Sequence, residues 1–187
     1  MKFDRDRFVE DCKRAIADGQ KAIREVVAEA VSDPAAVLAE MGEPERAGLK
    51  PLYRSPELTV VHFTWAPCMT LMPHNHGMFS VVGIYSGRED NIFWRHAGDS
   101  IEAAGASSLG PRDFATLGVN VIHSVVNPIA RKTCAFHVYG GDFFDEEVER
   151  NQWDHEQLDE RPWDFEQVKQ RFRDAEERFA AVGAARR

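Results

Sequence analysis

The sequence predicts a mainly β protein, a small antiparallel barrel or jelly roll with α-helices at both ends. From about residue 52, short apolar runs alternate with turns rich in Gly, Pro and Asp, which is typical of an antiparallel barrel and not of βαβ units. Before that point and near the C-terminus, apolar residues recur at helical spacing. We expect one domain over 1–187, with a helical part (1–50), a barrel (52–144), and an acidic loop followed by a helix (145–187).

The N-terminal part is predicted to hold two helical segments. Apolar residues recur at helical spacing over 3–31, and Gly19 falls in the middle, where it is expected to split the helix. Ser32-Asp33-Pro34 is a good helix start because it offers a capping side chain and a proline in the first turn. This short helix should end at Gly42.

The barrel should be built from strands over 59–65, 79–85, 91–96, 115–118, 119–126 and 133–139. In the first of these, Val61, Phe63 and Trp65 share one side. The segment 142–164 is strongly acidic and is interpreted as solvated surface, as is the charged turn 88–90. A last helix is expected over 163–181, with an apolar stripe that includes Phe172 and Phe179.

Charge and composition exclude several classes of function. The net charge of −8, without a long basic run, argues against nucleic acid and anionic membranes as partners. No apolar stretch approaches transmembrane length, and no signal peptide is visible. The cysteines Cys12, Cys68 and Cys134 are odd in number and far apart, which suits a reducing compartment. We therefore expect a cytoplasmic protein.

Histidines are the residues that indicate chemistry. His74 and His76 stand at i, i+2 in extended sequence, so they share a face, and His123 lies in another apolar run that a barrel can bring close. Because imidazole is the commonest metal ligand, a metal site is favoured over two surface histidines in a loop. His137 and Tyr139 form another i, i+2 pair, either functional or a hydrogen-bonded core pair. The remaining histidines are interpreted as structural or surface residues.

Two stretches resemble the motifs of the cupin superfamily. Residues 73–87, PHNHGMFSVVGIYSG, are similar to its first motif, and residues 118–127, GVNVIHSVVN, to its second. Val81 stands where the motif's glutamate would fall, and the three-histidine set that remains resembles the thiol dioxygenases, the cysteine and 3-mercaptopropionate dioxygenase group. Segments such as GREDNIFWRH also resemble uncharacterised cupins predicted only to be metal-dependent. The resemblance covers roughly 52–144 and implies a cupin double-stranded β-helix.

The resemblance also implies roles for individual residues. His74, His76 and His123 would bind Fe(II), with Zn or Ni as other candidates. Leu52-Tyr53-Arg54 is similar to the segment whose arginine holds the substrate carboxylate. The segment AFHVY, residues 135–139, is similar to a Ser-x-His-x-Tyr relay, which would make His137 and Tyr139 catalytic although alanine replaces the serine. Val81 also stands where animal cysteine dioxygenases carry a crosslinked cysteine, so no crosslink is expected.

The expected activity is the oxidation of a small thiol acid to its sulfinate with O2. Two alternatives stay open: a cupin metalloenzyme of another class, either another oxygenase or a zinc-dependent enzyme, and a non-catalytic cupin that binds a metal or ligand. The expected partners are a small-molecule substrate and O2. The sequence does not distinguish among the candidate thiols, and it leaves a homodimer open.

Overall fold

The computed structural model describes residues 2–185, which form four α-helices and eleven β-strands. The helices are α1 (Arg5–Ala15), α2 (Gln20–Val31), α3 (Pro34–Met41) and α4 (Phe165–Ala185), and a 3-10 turn (Ile16–Asp18) joins the first two. The strands are β1 (Gly48–Arg54), β2 (Thr59–Trp65), β3 (Thr70–His74), β4 (Ser80–Ser86), β5 (Glu89–Ala97), β6 (Ser100–Leu109), β7 (Phe114–Leu117), β8 (Ile122–Val126), β9 (Thr133–Tyr139), β10 (Asn151–Trp153) and β11 (Glu160–Pro162).

The strands form two antiparallel sheets. One has the order β1-β2-β9-β4-β7 and the other the order β11-β10-β3-β8-β5-β6. The predicted face of β2, Val61, Phe63 and Trp65, lies in the core between the sheets. The mainly β fold with helices at both ends is therefore confirmed.

Capping residues set the limits of the N-terminal helices, and the break at Gly19 and the start at Asp33-Pro34 are those that the sequence predicts. The Asp4 carboxylate accepts a hydrogen bond from the backbone N–H of Arg7 and caps α1. Gly19 separates α1 from α2 with φ of 78°, a left-handed conformation that glycine adopts without strain. Asp33 caps α3 through the backbone N–H of Ala36.

The N-terminal helices cover the outer face of the five-stranded sheet. In β9, Ala135 and Tyr139 face the barrel core, whereas Phe136 and Val138 face the helices. All seven residues of β9 are buried, because helices cover the outward face of this strand. Val27 of α2 belongs to the same outer cluster.

Gly83 in β4 permits the close approach of α2, and this gives a stability prediction. A Cβ atom at Gly83 would lie 2.5 Å from Cγ1 of Val27 and 2.9 Å from Cγ1 of Val31. Because β-branched side chains in a helix have little rotamer freedom, Gly83→Ala should push α2 outward and destabilise the protein by about 1–3 kcal/mol. Urea unfolding measures this, with Gly105→Ala as control, since a Cβ there meets nothing within 4 Å. Equal effects of the two changes would contradict this packing.

Several elements differ from the sequence-based expectation. The strand β6 was not predicted because its sequence, SIEAAGASSL, consists mostly of small and polar residues without apolar alternation. The strand β1 begins at Gly48, before the expected start of the barrel. The predicted strand over 119–126 begins only at Ile122, because a turn closed by the Val121 N–H and the Gly118 carbonyl, 3.2 Å apart, precedes it.

The acidic segment is not simply a solvated surface. Residues Asn151–Trp153 form β10, which joins the six-stranded sheet, and β11 pairs with it. The helix α4 then packs Val168 and Phe172 into the barrel core. Phe179, predicted on the same stripe, is 40% exposed and does not join that core. Among the described helices, none combines the length and the apolar character that a membrane span requires.

Candidate metal centre

Three histidines meet inside the barrel. His74 ends β3 and lies opposite His123 of β8, and His76 lies just beyond β3. All three are buried, with 3%, 1% and 4% of their surface exposed, respectively. The Nε2 atom of His76 lies 3.2 Å from Nε2 of His74 and 3.2 Å from Nε2 of His123. The structure thus brings together the three residues that the sequence predicts as metal ligands.

In each of these histidines, the ring nitrogen that faces away from the cluster, Nδ1, lies beside an oxygen atom. Nδ1 of His74 lies 2.8 Å from the Met72 carbonyl oxygen, and Nδ1 of His123 lies 2.7 Å from Oδ1 of Asn91. The third histidine has Ser80 Oγ 3.3 Å from its Nδ1. A carbonyl or amide oxygen only accepts, so His74 and His123 carry their proton on Nδ1. Their Nε2 lone pairs then point at the centre of the cluster, the usual arrangement of a metal-binding histidine.

The charge state of the cluster also suits a cation. Burial lowers the pKa of His74 to about 4 and, with the neighbouring rings, holds the pKa values of His76 and His123 well below their usual range. The rings are therefore neutral at pH 7. Among the residues that the structure describes, this is the set of His, Cys, Asp and Glu side chains that can hold a metal, and it contains no carboxylate. Imidazole suits zinc, copper, iron and nickel, so the donors fit a divalent metal without selecting one.

The predicted relay pair lies beside the cluster. His137 and Tyr139 line the same pocket as the three histidines, and the Nδ1 atom of His137 is 3.3 Å from the Tyr139 hydroxyl. The Tyr139 ring meets His76 edge-on, with centroids 5.2 Å apart. Burial, with the nearby charge of Glu89, raises the pKa of Tyr139 well above its usual value, so the phenol keeps its proton. The catalytic roles of this pair stay predictions.

Arg54 lies away from the pocket. Its side chain is 52% exposed, and its Nε and Nη2 atoms donate to the two carboxylate oxygens of Asp142 at 2.8 and 2.9 Å. It is not among the residues that line the histidine pocket. The carboxylate-binding role predicted for Arg54 stays a prediction, and it requires the guanidinium to leave Asp142.

A different arginine, Arg150, is the buried cation near the site. Only 7% of its surface is exposed. Its Nη1 and Nη2 atoms donate to the carbonyl oxygens of Phe143 and Asp145, each at 2.8 Å, and the guanidinium lies over the rings of Phe143 and Trp163. Sequence reasoning missed it inside the acidic segment. The sequence signal that marks it is an arginine within an acidic segment that has aromatic residues on both sides.

A buried carboxylate, Glu89, was also missed. The interpretation of residues 88–90 as a charged turn is wrong for Glu89, which has no exposed surface. Arg88 and Asp90 do form an ion pair outside the barrel, with 2.8 Å between Nε and Oδ1. Because β5 begins at Glu89, side-chain alternation turns Glu89 and Asn91 to the interior together. The sequence signal that marks Glu89 is its i, i+2 spacing with Asn91, directly ahead of the apolar run that begins at Ile92.

The Glu89 carboxylate contacts both Asn91, the partner of His123, and His137 of the predicted relay pair. Its Oε2 accepts a hydrogen bond from Trp65 Nε1 at 2.7 Å, and its Oε1 accepts one from Asn91 Nδ2 at 3.0 Å. Oε2 also lies 3.5 Å from Nε2 of His137. Burial alone would raise the pKa of Glu89, but His137, Asn91 and Trp65 together outweigh it and lower that pKa, so the carboxylate is ionised.

The histidine pocket itself is small. It has a free volume of about 10 Å³, which is room for about one water molecule. A larger cavity of about 440 Å³ lies next to it and is lined by Arg150 and Lys169. Phe143 and Trp163 line both cavities and therefore form the wall between them.

No family model matches this sequence, and no curated protein matches it. Solved structures do match. A cupin superfamily protein from Desulfitobacterium hafniense is 13% identical over 54% of this chain and 83% of its own, with a TM-score of 0.44. An RmlC-like cupin with a double-stranded β-helix from Methanocaldococcus jannaschii is 11% identical over 54% and 85%, with a TM-score of 0.46. Oxalate decarboxylase from Bacillus subtilis is 15% identical over 59% of this chain and 29% of its own, with a TM-score of 0.47. In fold class, this chain is a mainly β protein of two antiparallel sheets with helices at both ends.

Proposed function

We propose that this protein is an iron-dependent dioxygenase that oxidises a small thiol acid to its sulfinate with O2. The observation that supports it is the ligand set, three buried neutral imidazoles without a carboxylate. A divalent metal held by such a set keeps its full charge of 2+, which favours an anionic sulfur ligand. When bound, Fe(II) supplies the redox chemistry and the open coordination positions for a thiolate and for O2.

The protein's own residues would position the reactants and exclude water. Tyr139 keeps its proton and can donate a hydrogen bond toward the centre of the pocket. His137 orients the phenol from one side, and Glu89 in turn faces the other nitrogen of that imidazole. The apolar lining, which includes Phe63 and Leu71, keeps bulk water out.

The substrate would enter from the larger cavity. Since the histidine pocket has room for about one water molecule, a thiol acid fits only when the wall of Phe143 and Trp163 moves. Its sulfur would then lie at the histidines and its carboxylate in the outer cavity, beside the guanidinium of Arg150. Carboxylates also line this cavity, and Lys169 could contribute only after it leaves Glu166, to which its Nζ atom donates at 2.6 Å. Arg54 can take this role only after it leaves Asp142.

The test is O2 consumption by protein purified anaerobically and loaded with Fe(II). We expect uptake with cysteine or 3-mercaptopropionate, one sulfinate formed per O2, and much slower turnover of cysteamine, which has no carboxylate. Protein loaded with zinc is the matched control and should consume no O2. Tight iron binding without uptake for any of the three thiols would overturn the thiol chemistry and leave the metal site standing.

The size of the histidine pocket favours a second candidate, a zinc-dependent reaction that uses an activated water. Three protein ligands and one water are typical of catalytic zinc, and the pocket holds about one water molecule. Metal analysis of protein isolated without added metal separates the candidates. Stoichiometric zinc, with no thiol-dependent O2 uptake after exchange to iron, would favour the second.

A further inference from the structure

A chain of hydrogen bonds runs from the buried carboxylate to one predicted metal ligand. Oε1 of Glu89 accepts from Nδ2 of Asn91 at 3.0 Å, and Oδ1 of Asn91 lies 2.7 Å from Nδ1 of His123. All three side chains are buried, with exposed fractions of 0%, 3% and 1%. Water therefore does not compete for these groups, and each hydrogen bond determines the direction of the next.

The direction begins at the carboxylate because an ionised carboxylate only accepts hydrogen bonds. Glu89 must therefore face the NH2 end of the Asn91 amide, which leaves the amide oxygen facing His123. That oxygen in turn requires a proton on Nδ1 of His123. The Nε2 lone pair of His123 is then directed at Nε2 of His76, 3.2 Å away.

We propose that Glu89 is a positioning residue that sets the tautomer of His123 through Asn91 and thereby prepares Nε2 to bind metal. The proposal rests on the metal site of the proposed function but not on thiol chemistry. Glu89 is not itself a member of the ligand set, because two hydrogen bonds separate it from the imidazole of His123. It also faces His137 with its second oxygen, so one side chain orients groups on both sides of the pocket.

The second hydrogen bond of Glu89 makes the proposal testable by a single-atom change. Trp65 donates to Oε2, so both carboxylate oxygens are needed as acceptors. In Glu89→Gln only one oxygen remains, and the indole N–H of Trp65 cannot turn away. The NH2 group of the new glutamine then faces Asn91, whose amide flips to offer its oxygen. The flipped amide donates to Nδ1 of His123 and moves the imidazole proton to Nε2, where it blocks metal binding.

The experiment combines histidine tautomers with metal affinity. Long-range ¹H–¹⁵N spectra of the metal-free protein at pH 7 report which ring nitrogen of His123 carries the proton, and competition with a chromophoric chelator gives the affinity for Zn(II). We expect the Nδ1–H tautomer in the unmodified protein and the Nε2–H tautomer in Glu89→Gln, with a loss of affinity of about 10- to 100-fold. Asn91→Ala should lose less metal affinity than Glu89→Gln, although Asn91 contacts His123 directly. The alanine removes the constraint on the His123 tautomer without imposing the wrong one.

The matched control is the pair Trp65→Phe and Trp65→Phe/Glu89→Gln. Without the indole N–H, the glutamine oxygen can turn to Asn91, so the double variant should recover the Nδ1–H tautomer and most of the affinity. A Glu89→Gln variant with unchanged tautomer and affinity would overturn the proposal. So would an Nε2–H tautomer of His123 in the unmodified protein, a measurement that needs no variant to fold. Absence of metal binding by the unmodified protein would instead refute the metal site itself.

Discussion

Replacing His76 by alanine should abolish stoichiometric binding of divalent metal. His76 is the central member of the cluster, since its Nε2 atom lies 3.2 Å from the Nε2 atoms of both His74 and His123. Without it two imidazoles remain, and no carboxylate belongs to the set. Loss of a direct ligand should exceed the roughly 10- to 100-fold loss of affinity that follows removal of an outer-shell partner.

Metal content after dialysis and thermal unfolding measure this effect together. Metal that binds only the folded state stabilises the unmodified protein by about 2.7 kcal/mol at a free concentration of 100 Kd, and His76→Ala should lose this gain. The melting temperature of metal-free His76→Ala, compared with that of the metal-free unmodified protein, shows any packing defect that the substitution causes. His96→Ala is the matched control, because His96 is exposed on β5 outside the cluster. One equivalent of metal retained by His76→Ala would refute the three-histidine site.

Replacing Arg150 by methionine should destabilise the protein by about 3 kcal/mol, since hydrogen bonds from a charged group contribute about 1.5–3 kcal/mol each. The change removes the donors to the carbonyl oxygens of Phe143 and Asp145 and the cation that lies over Phe143 and Trp163. Methionine keeps much of the volume, so the loss reflects mainly the hydrogen bonds and the charge. Faster hydrogen exchange should be confined at first to residues 142–150, the segment that Arg150 holds.

The matched variant is Arg54→Met, which removes an exposed ion pair and should cost no more than about 1 kcal/mol. Urea unfolding at pH 7 compares the two. Under the proposed function, Arg150→Met should also raise the KM for a thiol acid while leaving cysteamine turnover unchanged. If Arg54→Met raises that KM and Arg150→Met does not, the carboxylate role belongs to Arg54, as the sequence predicts, and the outer cavity is not the carboxylate site.

The quality of the sequence-based prediction follows the strength of the local pattern. The strands Thr59–Trp65 and Thr133–Tyr139 were predicted to the residue, because their apolar and polar side chains alternate between clear limits. The strand Ser100–Leu109 was missed, since small and polar residues on an exposed strand leave no periodic signal. Residues Asn151–Trp153 join the sheet through a pairing with β3, and the distance of β3 along the chain hides this from local pattern.

By itself, the sequence determined that the barrel exists and which three histidines converge in it. Period-2 alternation decides which residues share a face, so His74 and His76 were recognisable as a pair, and the position of His123 in a third apolar run completed the set. Only the tertiary structure decided which charged residues lie inside. Charge alone predicts exposure, and a buried charge is tolerated only when partners from distant strands supply hydrogen bonds. Glu89 accepts a hydrogen bond from Trp65 of β2 and faces the imidazole of His137 on β9, whereas Arg54 pairs with Asp142 at the surface.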